Sequence, residues 1–278
     1  MTKTRFRVAL VQNCATPDSP ATVAALREQI HQAAQSGAKL IALPEACEFL
    51  SGENGAFARH ARAVDDHPAA LAMQEAARES GAWILVGSLS CRADHGKLAN
   101  RSILISPLGE VRTTYDKINL FDAHPDEKEK ESHESRLYQR GSRAVVVDIG
   151  PAVLGLTVCY DLRFPHLYRA LAQAGATILT VPSAFHPLTG KAHWHTLLRA
   201  RAIETGCFVL APAQCGVPHE GRENYGHSLI VNPWGEVVAE AGTEPEVIVA
   251  VLDMGEVDAA RRRVPSITQN YDFTVHRA

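Results

Sequence analysis

Three residues in this sequence sit where candidate strands give out: Glu45 after "KLIALP", Lys117 after "VRTTYD" and Cys159 after "VLGLTV". Singly, each has a plain reading as a loop carboxylate, a surface ammonium and a small buried hydrophobe. Together they form a chemically complete set. A thiol nucleophile needs a base to take its proton and a cation to steady the oxyanion that its attack creates, and these residues offer one of each. A lysine beside a thiol also favours the charged form and so lowers the thiol pKa.

The elements that must bring the three together are visible as repeats. "SGAKLIALPEA" (36–46) and "AGATILTVPSA" (174–184) match as helix end, Gly-Ala, apolar run and proline, and "SGAWILVGS" (80–88) is a shorter relative. The glycine of each fits the residue just past a helix, and the apolar run fits a strand buried on both faces. "SILISPLGEV" (102–111) and "SLIVNPWGEV" (228–237) both alternate apolar residues before a Pro-x-Gly-Glu turn, and each predicts a β-hairpin. The order helix, Gly-Ala strand, hairpin therefore occurs twice. Two similar halves closing one core are expected, and no Pro/Gly/Ser-rich linker divides them, so residues 1–278 read as one domain. Helical periodicity covers 20–35, 66–80, 165–174 and 191–206, the last with His195, Leu198, Ala202 and Ile203 on one face. The charged stretch 121–141 predicts a surface loop, which is also a usual place for an active-site lid.

Composition narrows the function class. Of the 278 residues 46% are hydrophobic, enough for a sizeable core, and the formal net charge of −3 gives no basis for nucleic-acid binding. "MTKTRFRVALVQN" predicts a first strand and not a signal peptide. No apolar run approaches the roughly 20 residues that span a bilayer, so a cytoplasmic protein with a small-molecule partner is expected. Six cysteines, at 14, 47, 91, 159, 207 and 215, lack the CxxC spacing of a metal site and read as free thiols, with Cys207 and Cys215 as packing residues. His193 and His195 of "HWH" point to different helix faces, against a chelating pair. A Cys-His hydrolase is disfavoured because no histidine ends a strand as Glu45 and Lys117 do.

From "VALVQN" (8–13) to "NPWGEVVAEAG" (232–242) the chain resembles the nitrilase superfamily of carbon-nitrogen hydrolases, with "LPEA" (43–46), "YDKINLFD" (115–122) and "GLTVCYDLRFP" (155–165) similar to its three signature segments. The resemblance implies an α/β fold, the four-layer αββα sandwich, and pairing into homodimers or larger homo-oligomers. It implies Glu45 as general base, Lys117 as oxyanion stabiliser, Cys159 as nucleophile and the backbone N–H of Tyr160 as a second oxyanion donor. "ESRLYQRG" (134–141) resembles the segment that holds a further glutamate, which points to Glu134. "RFPHLYRALAQAGA" (163–176) is similar to an interface segment, leaving Arg163 either structural or substrate-binding, and His166 stands where many members have glutamate.

Segments 182–205 and 213–236 resemble the Nit branch, amidases of deaminated glutathione and of ω-amides of small keto-dicarboxylates. The implied reaction is hydrolysis of a primary amide through a cysteine thioester with release of ammonia, requiring neither metal nor organic cofactor. His186, Lys191, His193, Arg199 and Arg222 are candidates for the anionic end of such a substrate. The alternatives are an N-carbamoyl amide hydrolase, an aliphatic amidase, or an inactive binding protein on the same fold.

Overall fold

The structure, a computed structural model, describes residues 5–124 and 132–277. Two six-stranded sheets run through it. The first has the spatial order Glu246–Asp253, Arg5–Gln12, Leu40–Ala42, Trp83–Arg92, Leu98–Ile105, Val111–Asp116. The second has the order Val145–Asp148, Val153–Leu156, Ile178–Thr180, Phe208–Ala211, Leu229–Val231, Val237–Glu240. In each, three parallel strands form the centre, one antiparallel strand closes one side and a hairpin closes the other. The two sheets therefore have the same plan, as the repeats lead one to expect.

The period of two along the strands sets the layers. Ala9, Val11, Ile41, Ile84, Val86, Ile103 and Ile105 face outward onto Leu26, Ile30, Ala70 and Met73 of helices Ser19–Gln35 and Pro68–Ser80. Their neighbours Val8, Leu10, Leu40, Ala42, Leu85 and Leu104 face inward and join the second sheet in one core. Leu167, Leu171, Trp194 and Leu198, from helices Pro165–Gln173 and Pro187–Thr205, belong to that same core on the far side. The result is the αββα sandwich.

The two hairpin turns are alike in detail. Ser106 N–H donates to Glu110 O at 2.8 Å and Asn232 N–H to Glu236 O at 2.9 Å, with Gly109 and Gly235 at φ 77° and 84°. Two boundaries, one helix face and one loop differ from expectation. Cys159 lies beyond its strand, which ends at Leu156, and opens a short 3-10 turn, Cys159–Arg163. The last long helix starts at Pro187, capped by the His186 ring. Its buried face is carried by Trp194, Leu198, Arg201, Ala202 and Thr205, while Ile203 is exposed and His195 is half-buried, so the face centres on Trp194 and not on His195. Within 121–141, Asp122–Ala123 pairs with Ser132–His133 and a short helix, Glu134–Leu137, follows. Residues 125–131, the centre of the expected lid, lie outside the described residues.

Two glycines let backbone pass close to the segments that carry Glu45 and Lys117. A Cβ on Gly87 would lie 2.1 Å from Leu43 O and 2.2 Å from Pro44 O, and one on Gly141 would lie 2.1 Å from Asp116 O. Backbone cannot yield as a flexible side chain can. Gly87→Ala and Gly141→Ala are each expected to cost about 3 kcal/mol, read as a shift of the urea midpoint. A loss of less than about 0.5 kcal/mol would show that these segments can move apart.

Candidate active site

Glu45, Lys117 and Cys159 meet at one rim, where parallel strands of both sheets end. Glu45 sits three residues past its strand, followed by Ala46 in the left-handed region at φ 48°. The loop is fixed from behind by Gln214, whose Nε2 donates to the carbonyls of Glu45 and Ala46, each at 3.0 Å. The Glu45 side chain is fully engaged. Its Oε1 accepts from Lys117 Nζ at 2.9 Å and from Asn100 Nδ2 at 3.0 Å, and its Oε2 accepts from Ala184 N–H at 3.0 Å. The Cys159 thiol lies close enough to the same carboxylate for each to shift the other's proton affinity. The two matching repeat segments therefore face one another here: "LPEA" supplies the carboxylate, and "VPSA" supplies the Ala184 N–H and the Pro182 carbonyl that accepts from Cys159 N–H at 2.9 Å.

Lys117 follows directly on strand Val111–Asp116, which Arg101 clamps through Asp116 at 2.6 and 2.9 Å. Its ammonium is 2% exposed and lies between two carboxylates, 2.9 Å from Glu45 and 2.9 Å from Glu134 Oε2. Glu134 also accepts from Asn100 Nδ2 at 2.9 Å and Phe121 N–H at 2.6 Å. Cys159 has φ 48°, an uncommon backbone for a residue with a side chain, and such strain persists only where surroundings hold it. Asp161 holds it. That buried carboxylate accepts from Val158 N–H at 2.9 Å, Tyr115 OH at 2.7 Å, and Asn119 N–H and Nδ2 at 3.0 and 2.8 Å. The Tyr160 amide stands at the start of the same turn, where N–H groups have no partner within the helix.

The electrostatics correct one expectation. Burial pushes the Cys159 thiol up and the adjacent Glu45 carboxylate adds to this; Lys117 lowers it, as its charge requires, but is outweighed. Burial also works to raise Glu45, yet the Lys117 charge and the hydrogen bonds from Cys159, Lys117 and Asn100 hold its carboxyl below the ordinary value near 4.5. Lys117 stays charged: burial lowers it, and Glu134 and Glu45 more than reverse that. The resting site thus pairs a neutral thiol with an ionised base, and not a thiolate with an ammonium.

These groups open into a cleft of about 440 Å³. Leu50, Phe57, Phe121 and Phe185 give it apolar walls, and Arg163, His186 and Arg222 bring cationic or polar groups. Lys191, His193 and Arg199 do not line it; Arg199 is turned away to Gly235 O at 2.7 Å. Sequence reasoning missed Asn100, which bridges both glutamates. The signal was there, since Leu98, Asn100, Ser102 and Leu104 share the inward face of one strand and an amide so placed needs partners.

The profile of the carbon-nitrogen hydrolase family matches residues 7–262. The human deaminated glutathione amidase is 39% identical over 262 residues, covering 93% of this chain and 80% of that protein. The crystal structure of the C. elegans NitFhit protein aligns with a TM-score of 0.88 at 32% identity, over 97% of this chain and 66% of that one. A glutamate-to-glutamine variant of the Nesterenkonia sp. AN1 amidase, with the acetamide moiety of fluoroacetamide covalently added at its active-site cysteine, aligns with a TM-score of 0.78 at 26% identity, over 95% of this chain and 96% of that one. With the match running almost end to end and two of these relatives named as amidases, this chain belongs to the carbon-nitrogen hydrolase family and is a hydrolase of its amidase type.

Proposed function

We propose that the chain hydrolyses the primary amide of a small carboxylate-bearing substrate, of the deaminated-glutathione or keto-dicarboxylate ω-amide kind, through a thioester on Cys159. The observation that carries this is the buried Glu45–Lys117–Glu134 network with Cys159 beside it in the lining of one cleft. As sulfur attacks the carbonyl carbon, its proton passes to Glu45, and the carbonyl π pair moves to oxygen, held by Lys117 and the Tyr160 N–H. Collapse breaks the C–N bond, the proton on Glu45 goes to nitrogen, and ammonia leaves. Water then gives a proton to Glu45 and attacks the thioester carbon; the C–S bond breaks, the carboxylic acid departs and sulfur regains its proton. Glu134 and Asn100 keep Lys117 and Glu45 in register through both halves.

The carboxylate end of the substrate is met by Arg163. Its guanidinium lies 5.7 Å from the Phe185 ring centre and 5.9 Å from that of Tyr160, and among the described residues its hydrogen-bond neighbour is His193, not a carboxylate. Ammonia release measured across deaminated glutathione, α-ketoglutaramate, carbamoyl-β-alanine and simple aliphatic amides is expected to favour one of the first two. Arg163→Ala is expected to raise KM for that substrate by roughly 10-fold or more, with little change for an uncharged amide. Preference for carbamoyl-β-alanine with carbon dioxide release would overturn the reading.

We place the chain in a homo-oligomer. Tyr271, Phe273 and Val275 alternate at the C-terminal end and are more than three-quarters exposed, a pattern that supports seating against a second copy. No helix among the described residues is long and apolar enough to cross a membrane, and a cytoplasmic location accords with the free cysteines.

A further inference from the structure

Three residues past Glu45, on the same buried loop, Glu48 meets two histidines away from the cleft. Its carboxylate is 2% exposed, and among the described residues its ion-pair partners are His60, with Nε2 at 3.0 Å, and His67, with Nε2 at 3.8 Å. Ser19 Oγ donates to Glu48 Oε2 at 2.5 Å. His67 is 1% exposed at its side chain, and among the described residues neither ring nitrogen has a hydrogen-bond partner. An imidazole so enclosed, with both nitrogens unmatched, is a rare and costly arrangement in a folded core.

We propose that Glu48, His60 and His67 form a structural site for a borderline divalent transition metal, zinc being the best match. One ligand atom from each lies within 4.8 Å of the others. The separations of 3.0 and 3.8 Å from Glu48 Oε1 bracket the spacing of about 3.3 Å that bonds of 2.0–2.1 Å impose in a tetrahedral zinc centre, and two imidazoles with one carboxylate select zinc over calcium or magnesium. The ion would give His67 Nε2 a partner and the buried carboxylate a full counter-charge. His60 is the way in: it is about a quarter exposed and is stacked on Phe49 with ring centres 4.1 Å apart.

Such a site joins three separate pieces of chain, the loop from Glu45 to Leu50, helix Ala56–His60 and the entry to helix Pro68–Ser80. Its role is to stiffen the loop that presents Glu45, with no part in bond making. It is distinct from the rim cluster of His195, His227 and Glu240, where Glu240 Oε1 bonds both imidazoles at 2.8 and 3.0 Å and neither ring is buried.

The test uses the full-length protein stripped with a chelator and titrated with Co²⁺, whose visible bands report four-coordinate nitrogen and oxygen ligation. One equivalent is expected to bind with those bands and to raise Tm by several degrees, and Zn²⁺ is expected to displace it. His60→Ala, at the exposed ligand, is expected to weaken binding by more than about 100-fold; His67→Asn is expected to do the same. His195→Ala is expected to change nothing. Absence of a stoichiometric coloured complex, its survival in His60→Ala, or its loss in His195→Ala would each overturn the proposal.

Discussion

Cys159→Ala is expected to reduce amide turnover by on the order of 10⁶-fold, the scale on which removal of a hydrolase nucleophile acts when the rest of the machinery stays in place. The fold is expected to survive. The substitution removes one sulfur from a turn whose geometry is set by backbone and Asp161, through Cys159 N–H to Pro182 O and the four bonds that Asp161 accepts. A cost of about 1 kcal/mol in urea unfolding is expected. Cys159→Ser is expected to fail as well, because hydroxyl is a far weaker acid than thiol and Glu45, held below the ordinary carboxylate range, is a weak base for it. Since the thiol is raised and not lowered, ultraviolet thiolate absorbance from Cys159 is expected to be absent at pH 7–8, and iodoacetamide to react slowly. Turnover of Cys159→Ala near the parent level would remove sulfur from the mechanism, and a thiolate signal at neutral pH would show that the proton moves before substrate arrives.

The protonation state marks the limit of what the sequence reveals. Glu45, Lys117 and Cys159 stand out because strand ends can be read from apolar periodicity, and the duplicated "LPEA" and "VPSA" segments foreshadow two matching sheets. Whether Lys117 lowers the thiol or merely tempers its rise depends on burial and on the distance to Glu45, which only the packed structure sets. The same holds for Gln214, which reaches back 169 residues to Glu45 O, and for Asp161, tied to Tyr115 across 46. Their partners are remote in sequence, so no local pattern discloses them. Asn100 was within reach, because an amide on the inward face of a hairpin strand asks what it bonds to. The face of helix Pro187–Thr205 was misjudged through His195 and Ile203, because period alone does not weigh Trp194 against the residues beside it.

Lys117→Met is the second large effect, and it separates stability from catalysis. In the parent protein one ammonium, 2% exposed, lies between two enclosed carboxylates. Removing it leaves Glu45 and Glu134 facing one another without a cation, and breaking a buried pair in this way costs about 3–5 kcal/mol. Turnover is expected to vanish too, for want of the charge that holds the oxyanion. The pH dependence should invert. In the parent, Glu45 titrates below its unfolded value near 4.5, so its contribution is present above that pH and is lost as pH falls through the lower folded value. Lys117, raised in the fold, contributes throughout and would lose that contribution only above pH 10.5. Without Lys117, burial is the dominant influence on the Glu45 carboxyl and raises it. The variant is then least impaired in acid, where Glu45 is protonated, and its deficit grows as pH rises through the range from about 4.5 toward neutrality. Adding Glu134→Gln removes one of the two charges, so Lys117→Met/Glu134→Gln is expected to regain part of the lost stability at pH 7 and none of the activity. Urea midpoints from pH 4 to 8, taken beside ammonia release, read both quantities. A pH-independent deficit would mean that the network is held by shape and not by charge, and restored turnover in the double variant would take Lys117 out of the chemistry.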